Sequence, residues 1–491
     1  MRQADGCLLG LDLGTTTVRA VLFDGTGATL AEACSEPPVY YVPPDGAEID
    51  AEERWGCAAA AMRACLANAG DAAGRIAAVG LSGLLHALVP VDAQGRALAR
   101  AMLWMDQRCH PQAERMTRAH GETIRRLFGH AEVSTTWSAP KLAWLVERRP
   151  DLVARTARFL SLKDLVVERL TGAVATDPGC AGGTLLYDRR AGAWSGEMLA
   201  LVGVDAGTMP PILPPTTVMG GVTPAAAERT GLRAGTPVVL GSGDTTCTRL
   251  GAGAEGTGRG CLYLGTAAWL AVPRPGGGAF GATATTGAAL KWLAELLGLA
   301  PGESCRAAYE RLSRDAATAA AGAGGLLFLP HLMGERGPIP DPLAKGVLFG
   351  LNLAHGRAEV ARAVLEGCAL HLRSILEGVG GAPVDELVIA GGGARSPLWR
   401  AIMADVLAVR LLVPEVLEAG ALGAALLAGV AVGMFESPAD AQARCVRYVG
   451  VERPDADMAA LYDRIYRLYL ELEERVAPLY GRLPVEPLPR S

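Results

Sequence analysis

Two aspartates in this sequence stand where an apolar run meets a turn rich in glycine, serine and threonine. Asp12 lies in LLGLDLGTTT at residues 8–17, and Asp244 lies in VVLGSGDTT at residues 238–246. A carboxylate in such a place can hold Mg²⁺, because hard cations prefer oxygen ligands, or it can accept a proton from a hydroxyl group. Converging backbone N–H groups of the turn can bind an anion. The pattern predicts chemistry on a phosphate or an alcohol, and a plain turn or helix cap is the alternative reading of each aspartate.

Two further stretches could bind phosphate or a flat ring. LYLGTAA at residues 262–268 repeats the Gly-Thr pattern of LDLGTTT at residues 11–17. ELVIAGGGARSPLW at residues 386–399 predicts a strand, a glycine turn and a helix capped by Ser396 with Pro397 in its first turn. Bare backbone beside a helix N-terminus can accept a phosphate. A tight turn, or close approach of a neighbouring strand, is the alternative for the three glycines.

The elements that must position these residues alternate between strand and helix. Periodicity predicts strands at 8–13, 17–23, 28–33 and 76–81, a tight turn at 24–27 and a helix at 51–69, which favours an α/β fold. A chain of 491 residues exceeds what one core usually supports. A loop is predicted at 211–224, and the domain boundary is predicted to give domains 1–243 and 244–491. Two related lobes would place the two Gly-Thr turns on either side of a cleft.

Composition excludes several classes of function. The net charge is −5 and no basic cluster stands out, which argues against nucleic acid as a partner. No run of about 18 apolar residues occurs, so no membrane partner is predicted. The 11 cysteines are scattered without a C-x-x-C pair, which predicts reduced thiols in a cytoplasmic protein. The P-loop pattern and the ligand spacings of zinc sites are both absent from the sequence.

Together these stretches resemble the FGGY carbohydrate kinases, two-lobed phosphotransferases with the actin/hexokinase-like (ribonuclease H-like) fold and an interdomain cleft. LDLGTTT and LYLGTAA are similar to the two phosphate motifs of that family. GSGDTT is similar to the segment with its catalytic aspartate, and LVIAGGGARSPLWRAIMADVL to its adenosine motif. Longer similar segments are SAPKLAWLVE at 138–147, FLPHLMGERGPIPDPLAKG at 328–346 and GVLFGLNLAHGRAEVARAVLE at 346–366.

The resemblance implies ATP and Mg²⁺ as cofactors and a role for each motif. Asp244 would be the general base for the sugar hydroxyl, and Asp12 would hold the metal beside the phosphoryl group. The first domain would bind mainly the sugar and the second mainly the nucleotide. The residues implied in nucleotide binding are Gly14, Thr15, Thr16, Gly265, Thr266, Gly391, Gly392, Gly393, Ala394 and Ser396.

Within the family, the xylulokinases are the most similar group, through MLWMDQRC at 102–109 and LKDLVVERLTGAVATDPGCAGGTLLYD at 162–188. Their sugar-contacting Met-His pair falls on Leu85 and His86, and the glutamine before it is Leu84. Gluconokinases share that pair. The expected substrate is a ketopentose such as xylulose, phosphorylated on a terminal hydroxyl, with gluconate or a pentitol as the alternative. The sugar side is expected to comprise Leu85, His86, Trp104, Asp106, Arg108 and Asp244.

Some alternatives stay open. Trp104 could be a core residue, and Asp106 with Arg108 a surface pair. The segment 270–280 is shorter than in the family, which predicts loss of a hairpin near the nucleotide and allows a sugar-binding regulator with impaired catalysis. An actin-like, nucleotide-driven assembly protein is the other class. A homodimer is possible.

Overall fold

The computed structural model describes residues 6–43, 45–274, 277–299, 305–337, 341, 343–380 and 384–483. The elements up to Gly253 are those of a mixed α/β protein. The strands are β1 Cys7–Leu13, β2 Val18–Phe23, β3 Thr29–Ser35, β4 Tyr40–Val42, β5 Gly46–Ile49, β6 Ile76–Gly83, β7 Leu88–Val91, β8 Ala101–Met102, β9 Arg158–Ser161, β10 Tyr187–Asp188, β11 Ala193–Trp194, β12 Val218–Gly221 and β13 Pro237–Gly243. The helices are α1 Ala51–Ala69, α2 His110–Phe128, α3 Ser138–Arg148, α4 Pro150–Arg155, α5 Leu162–Thr171, α6 Pro178–Gly182, α7 Gly196–Val202, α8 Pro224–Thr230 and α9 Asp244–Gly251.

The remaining elements continue the same mixture. The strands are β14 Gly260–Leu264, β15 Ala268–Arg274, β16 Gly277–Ala282, β17 Leu327–Leu329, β18 Val347–Phe349, β19 Glu386–Ala390, β20 Arg410–Pro414 and β21 Tyr448–Glu452. The helices are α10 Gly287–Leu296, α11 Cys305–Ala317, α12 Arg357–Gly378, α13 Pro397–Leu407, α14 Ala419–Ala431, α15 Pro438–Cys445 and α16 Ala456–Tyr480.

The first sheet has the strand order β12-β13-β6-β1-β2-β3. β1, β2 and β3 form an antiparallel meander, while β1, β6 and β13 run parallel. The predicted strands and the helix α1 are confirmed to within two residues. Helix α1 forms because Asp50 caps its first N–H groups, and it buries Ala58, Met62 and Cys65 at helical spacing.

The second sheet repeats this arrangement, with the order β16-β15-β14-β19-β20-β21. The strands β14, β15 and β16 are antiparallel, and β14, β19 and β20 are parallel. The expectation of two related lobes, each opening with antiparallel strands, is therefore confirmed at the level of the sheets. In the segment 270–280, β15 pairs with β16 as a hairpin, and the loss of a hairpin relative to the family stays a prediction.

The chain divides into two units at different places from those predicted. The first unit is Met1–Gly253 with Glu418–Val446, and the second is Ala254–Leu417 with Arg447–Ser491. Helix α14 lies directly on the first sheet, since a Cβ added at Gly10 or at Gly80 would stand 1.9 Å from one of its carbonyl oxygens. That close approach explains why residues late in the chain belong to the first unit.

One further expectation differs from the structure. The predicted loop at 211–224 contains the edge strand β12, which pairs with β13. Over the stretches that the structure describes, no helix combines the length and the apolar composition needed to cross a membrane.

Candidate active site

The carboxyl ends of three neighbouring parallel strands bring the two predicted catalytic aspartates to one edge of the first sheet. Asp12 on β1 pairs in register with Ser82 on β6, and Ser82 pairs with Ser242 on β13. Asp244 follows two residues later, as the first residue of α9. Two strand spacings separate β1 from β13, which is about 10 Å. Both carboxylates therefore lie at the edge where parallel α/β sheets commonly bind ligands.

The Asp12 carboxylate is held from two sides. Its Oδ1 accepts a hydrogen bond of 2.7 Å from the Ser82 hydroxyl. On the other side a Cβ added at Gly420 would stand 2.9 Å from Oδ2, so the first turn of α14 passes against the carboxylate. Burial raises the pKa of the Asp12 carboxyl above its usual range, while Ser82 and Arg19 act in the opposite direction. The arrangement fixes the direction in which the carboxylate can offer an oxygen to a ligand.

The Gly14-Thr15-Thr16 turn is braced by the rest of the first unit and stays partly exposed. The Gly14 N–H donates to the Thr17 carbonyl at 3.0 Å. The fully buried Arg54 donates to the Gly14 carbonyl at 3.0 Å, and burial lowers the pKa of its guanidinium to about 10. Trp104 Nε1 donates to Thr15 Oγ1 at 3.1 Å. Trp104 is thus a buried residue that contacts the predicted phosphate turn, and its expected contact with sugar stays a prediction.

Asp244 begins α9 and is partly exposed. Its Oδ1 accepts from the Thr245 N–H at 2.7 Å. A Cβ added at the preceding Gly243 would stand 2.4 Å from Leu85 Cδ2, so Leu85 packs against the turn that presents Asp244. Leu85 therefore lies beside the turn that presents Asp244, and the sugar contact of both residues stays a prediction.

A buried charge network lies behind Asp244. Ser242 Oγ donates to Asp177 Oδ2 at 2.5 Å. Lys163 Nζ donates to Asp164 Oδ1 at 2.7 Å and lies 3.4 Å from Asp177 Oδ1. Burial by itself lowers the pKa of Lys163, but the neighbouring carboxylates outweigh it and hold that pKa above its usual range. The network fixes the strand end that carries Asp244.

We expect Lys163→Met to reduce the free energy of unfolding by about 3–5 kcal/mol, because it leaves two buried carboxylates without their cation. Urea unfolding followed by circular dichroism measures the change. The same substitution at Lys291, whose side chain is 56% exposed, is the control and should cost less than about 1 kcal/mol. An equal effect of the two substitutions would contradict a role for Lys163 in holding this strand end.

His86 is held in an unusual backbone conformation. Its φ is 68°, a left-handed value that costs a non-glycine residue about 1–3 kcal/mol. Nδ1 lies 2.6 Å from the Gly183 carbonyl and therefore carries the proton in the neutral ring. The ring stands edge-on to Trp137 with centroids 5.3 Å apart. The neighbouring Leu84 is 1% exposed and belongs to the core of the first unit. A leucine here, where the xylulokinases have a glutamine, therefore contributes to core packing.

Asp106 and Arg108 form an ion pair in which Asp106 is buried, with an exposed fraction of 0%, and Arg108 is half-buried. The surface-pair alternative is therefore wrong for Asp106. Arg108 Nη2 lies 2.7 Å from Asp106 Oδ2 and 2.6 Å from Glu48 Oε1. Asp106 Oδ2 also accepts from the Ala47 N–H at 2.9 Å. These contacts tie the β5–β8 sheet to the following loop, and the expected sugar contact of both residues stays a prediction.

In the second unit, the Gly265-Thr266 turn lies at the N-terminus of α10. The Gly265 carbonyl accepts from the Gly287 N–H at 3.0 Å, and the Thr266 carbonyl accepts from the Ala288 N–H at 2.9 Å. The turn itself is partly exposed. The carbonyls therefore cap the helix. The Gly265 N–H donates to the Ala267 carbonyl at 3.0 Å, and the contact of Thr266 with phosphate stays a prediction.

The three glycines at 391–393 have different roles. Gly391 has a φ of 89°, and a Cβ there would stand 2.6 Å from the Leu264 carbonyl. A Cβ at Gly393 would stand 2.8 Å from Leu264 Cβ. At Gly392 no atom lies within 4 Å of such a Cβ. Close approach of the strand β14 therefore explains Gly391 and Gly393, and Gly392 is the position open to a ligand.

The helix after these glycines starts as predicted. Ser396 Oγ accepts from the Trp399 N–H at 3.2 Å and contacts Ser313 Oγ at 2.6 Å. Pro397 occupies the first turn of α13. Ala394 is buried behind the turn, and its carbonyl accepts from Arg400 Nη1 at 2.8 Å. The hydroxyl of Ser396 is thus engaged in capping, and its contact with a nucleotide stays a prediction.

Sequence reasoning missed Arg54, the Lys163–Asp177 network and the first turn of α14. Asp177 was visible as a cap before Pro178, and the glycines and alanines of AGALGAALLAG at 419–429 indicated a helix made for close packing. The partners of these residues lie far away in sequence, so their contacts could not be read locally.

Three comparisons with known proteins describe what this chain is similar to. Residues 7–251 match the description "FGGY family of carbohydrate kinases, N-terminal domain", and residues 256–432 match that family's C-terminal domain. The xylulose kinase of Bacillus subtilis (strain 168) is 30% identical over 94% of this chain and 95% of its own length. A glycerol kinase of Bordetella parapertussis is 32% identical over 88% of this chain and 90% of its own length. Among solved structures, a xylulose kinase from Rhodospirillum rubrum is 31% identical with a TM-score of 0.77, covering 97% of this chain and all (100%) of its own.

Proposed function

This chain belongs to the FGGY family of carbohydrate kinases, and from that premise we propose that it transfers a phosphoryl group from ATP to a terminal hydroxyl of a ketopentose of the xylulose kind. The observation that carries the proposal is the row of Asp12, Ser82 and Ser242 across three parallel strands, with Asp244 directly beyond it. Phosphoryl transfer requires positioning, charge neutralisation and a base for the hydroxyl. We propose that the first unit binds mainly the sugar and the second mainly the nucleotide.

Asp244 is suited to be the base. Its Oδ1 is occupied by the Thr245 N–H, which leaves a defined orientation for the carboxylate. A carboxylate within hydrogen-bond reach of the sugar hydroxyl can accept its proton as the bond to phosphorus forms. Packing of Leu85 on Gly243 places an apolar wall beside this carboxylate. The wall would exclude water, which competes with the sugar for the phosphoryl group.

Asp12 is suited to hold the metal. Carboxylate and hydroxyl oxygens meet at the Asp12–Ser82 pair, and Mg²⁺ prefers oxygen ligands of this kind. When bound, Mg²⁺ neutralises the charge of the phosphate oxygens. The N-terminus of α14 beside Asp12 adds a partial positive charge that favours negative groups. The Gly14 N–H braces this turn by donating to the Thr17 carbonyl, and the N–H groups of Thr15 and Thr16 would orient phosphate oxygens at the same edge.

His86 is the proposed sugar ligand, because its neutral ring donates at Nδ1 to protein and can accept at Nε2 from a sugar hydroxyl. We expect xylulose to give the highest kcat/KM in a panel with gluconate, a pentitol and glycerol, assayed by coupled ADP detection. His86→Asn, which tolerates the left-handed backbone, should lower kcat/KM for the sugar about 5–150-fold. KM for ATP should stay within about twofold.

His120→Asn, at an exposed position of α2, is the matched control for this substitution. Gluconate ranking first would overturn the xylulose assignment and leave the kinase proposal standing. ADP formation that no sugar stimulates would instead favour the actin-like assembly class. Tight sugar binding without turnover would favour the regulator.

A further inference from the structure

Three metal-ligating side chains that are distant in sequence meet inside the second unit. His331 and Glu335 lie in the loop after β17, and His371 lies on α12. The distance from His331 Nδ1 to Glu335 Oε2 is 3.0 Å, and that from His371 Nε2 to the same oxygen is 2.8 Å. The two imidazole rings are nearly perpendicular, at 86°, with centroids 4.9 Å apart. One nitrogen of each ring and one carboxylate oxygen therefore converge on a common point.

The cluster is dry. The side chains of His331, His371 and Glu335 are 2%, 1% and 7% exposed. His371 Nε2 makes no hydrogen bond of acceptable geometry despite its 2.8 Å approach to Glu335. His331 Nε2 is likewise without a hydrogen bond of acceptable geometry, although it lies 2.9 Å from Glu473 Oε1. Two ligand atoms at about 2.0–2.2 Å from a tetrahedral zinc ion lie roughly 3.3–3.6 Å apart. The ligands would therefore open by a few tenths of an ångström, roughly 0.3–0.8 Å, from the observed separations of 3.0 and 2.8 Å to admit the ion.

Each ligand also has a partner on its far side. His331 Nε2 lies 2.9 Å from Glu473 Oε1 on α16, and His371 Nδ1 lies 3.4 Å from the Ser374 hydroxyl. Glu335 Oε1 accepts from the N–H groups of Arg336 at 2.6 Å and Gly337 at 3.0 Å. Metal-binding histidines and carboxylates are typically oriented by such outer partners. These outer contacts hold the three side chains in the positions from which they could reach one ion.

We propose that His331, Glu335 and His371 bind one divalent transition-metal ion of the zinc type. Two imidazoles and a carboxylate suit Zn²⁺, Co²⁺ or Ni²⁺, whereas Mg²⁺ prefers oxygen ligands and retains water. The site is therefore chemically separate from the Asp12 position proposed for catalysis. An ion there would tie the 331–337 loop to α12, and through Glu473 to α16. Its role would be structural, since metal binding stabilises the folded state that forms the site.

The test uses the full-length protein, stripped with EDTA and titrated with Co²⁺ in excess Mg²⁺. We expect a single saturable site with the visible absorption of Co²⁺ in a nitrogen–oxygen environment. His331→Gln and His371→Gln should each weaken binding by more than the roughly 10–100-fold that loss of an outer partner costs. His120→Gln, on the exposed surface of α2, should leave binding unchanged.

A second measurement uses only the wild-type protein, so its result does not depend on whether the variants fold. Zn²⁺ added to the stripped wild-type protein should raise its melting temperature, and EDTA should reverse the rise. Absence of saturable Co²⁺ binding to the wild-type protein would overturn the proposal, as would binding that survives both glutamine substitutions. Either result would leave the cluster as a buried network of ion pairs.

Discussion

Asp244→Asn is expected to lower kcat by about 10²–10⁴-fold, the usual cost of losing a general base. The amide has the size of the carboxylate but cannot accept the proton of the sugar hydroxyl at neutral pH. The Thr245 N–H can still donate to the amide oxygen in place of Oδ1, so the turn should keep its shape. KM for ATP and the melting temperature should therefore stay close to those of the wild type.

The measurement is steady-state kinetics with the best sugar of the panel, together with a thermal melt. Asp151→Asn is the control, because this aspartate lies in the same unit and its side chain is 69% exposed. It should leave kcat unchanged. A kcat within a few-fold of wild type for Asp244→Asn would show that another group takes the proton.

Asp12→Ala should lower kcat about 10²–10³-fold, in the range seen when an electrostatic contact to the reacting group is removed. The Mg²⁺ concentration needed for half-maximal rate should rise, because the lost carboxylate is the proposed metal ligand. Sugar affinity should hardly change, since the proposed sugar contacts come from other residues. Asp12→Asn is the conservative companion, which can still accept from the Ser82 hydroxyl.

Sugar affinity is measured by calorimetry without nucleotide, and the Mg²⁺ dependence by initial rates. Asp71→Asn, at an exposed position, is the control. If Asp12→Ala keeps both its kcat and its Mg²⁺ dependence, Asp12 serves only to bind Ser82 at the strand end. If Asp12→Ala and Asp12→Asn differ from each other in melting temperature but both keep the wild-type kcat, Asp12 likewise has only this structural role.

The sequence by itself determined the elements whose cause is local. The strands β1 to β3, the helix α1 and the Ser396 cap follow from residue alternation, helical spacing and a side chain that bonds its own turn. The same local patterns identified the Gly-Thr turns and both aspartates, which is why the family could be predicted. Each of these signals lies within a few residues of the feature it specifies.

The tertiary structure decided whatever depends on partners distant in the chain. It placed α14 on the first sheet and so moved the predicted domain division. It separated Gly392, which is open, from Gly391 and Gly393, which accommodate β14. It put Leu84 in the core and Leu85 beside Asp244, although the two are neighbours. It also brought His331 and His371 together around Glu335. No spacing within the sequence predicts this cluster, because it forms only when separate elements pack against each other.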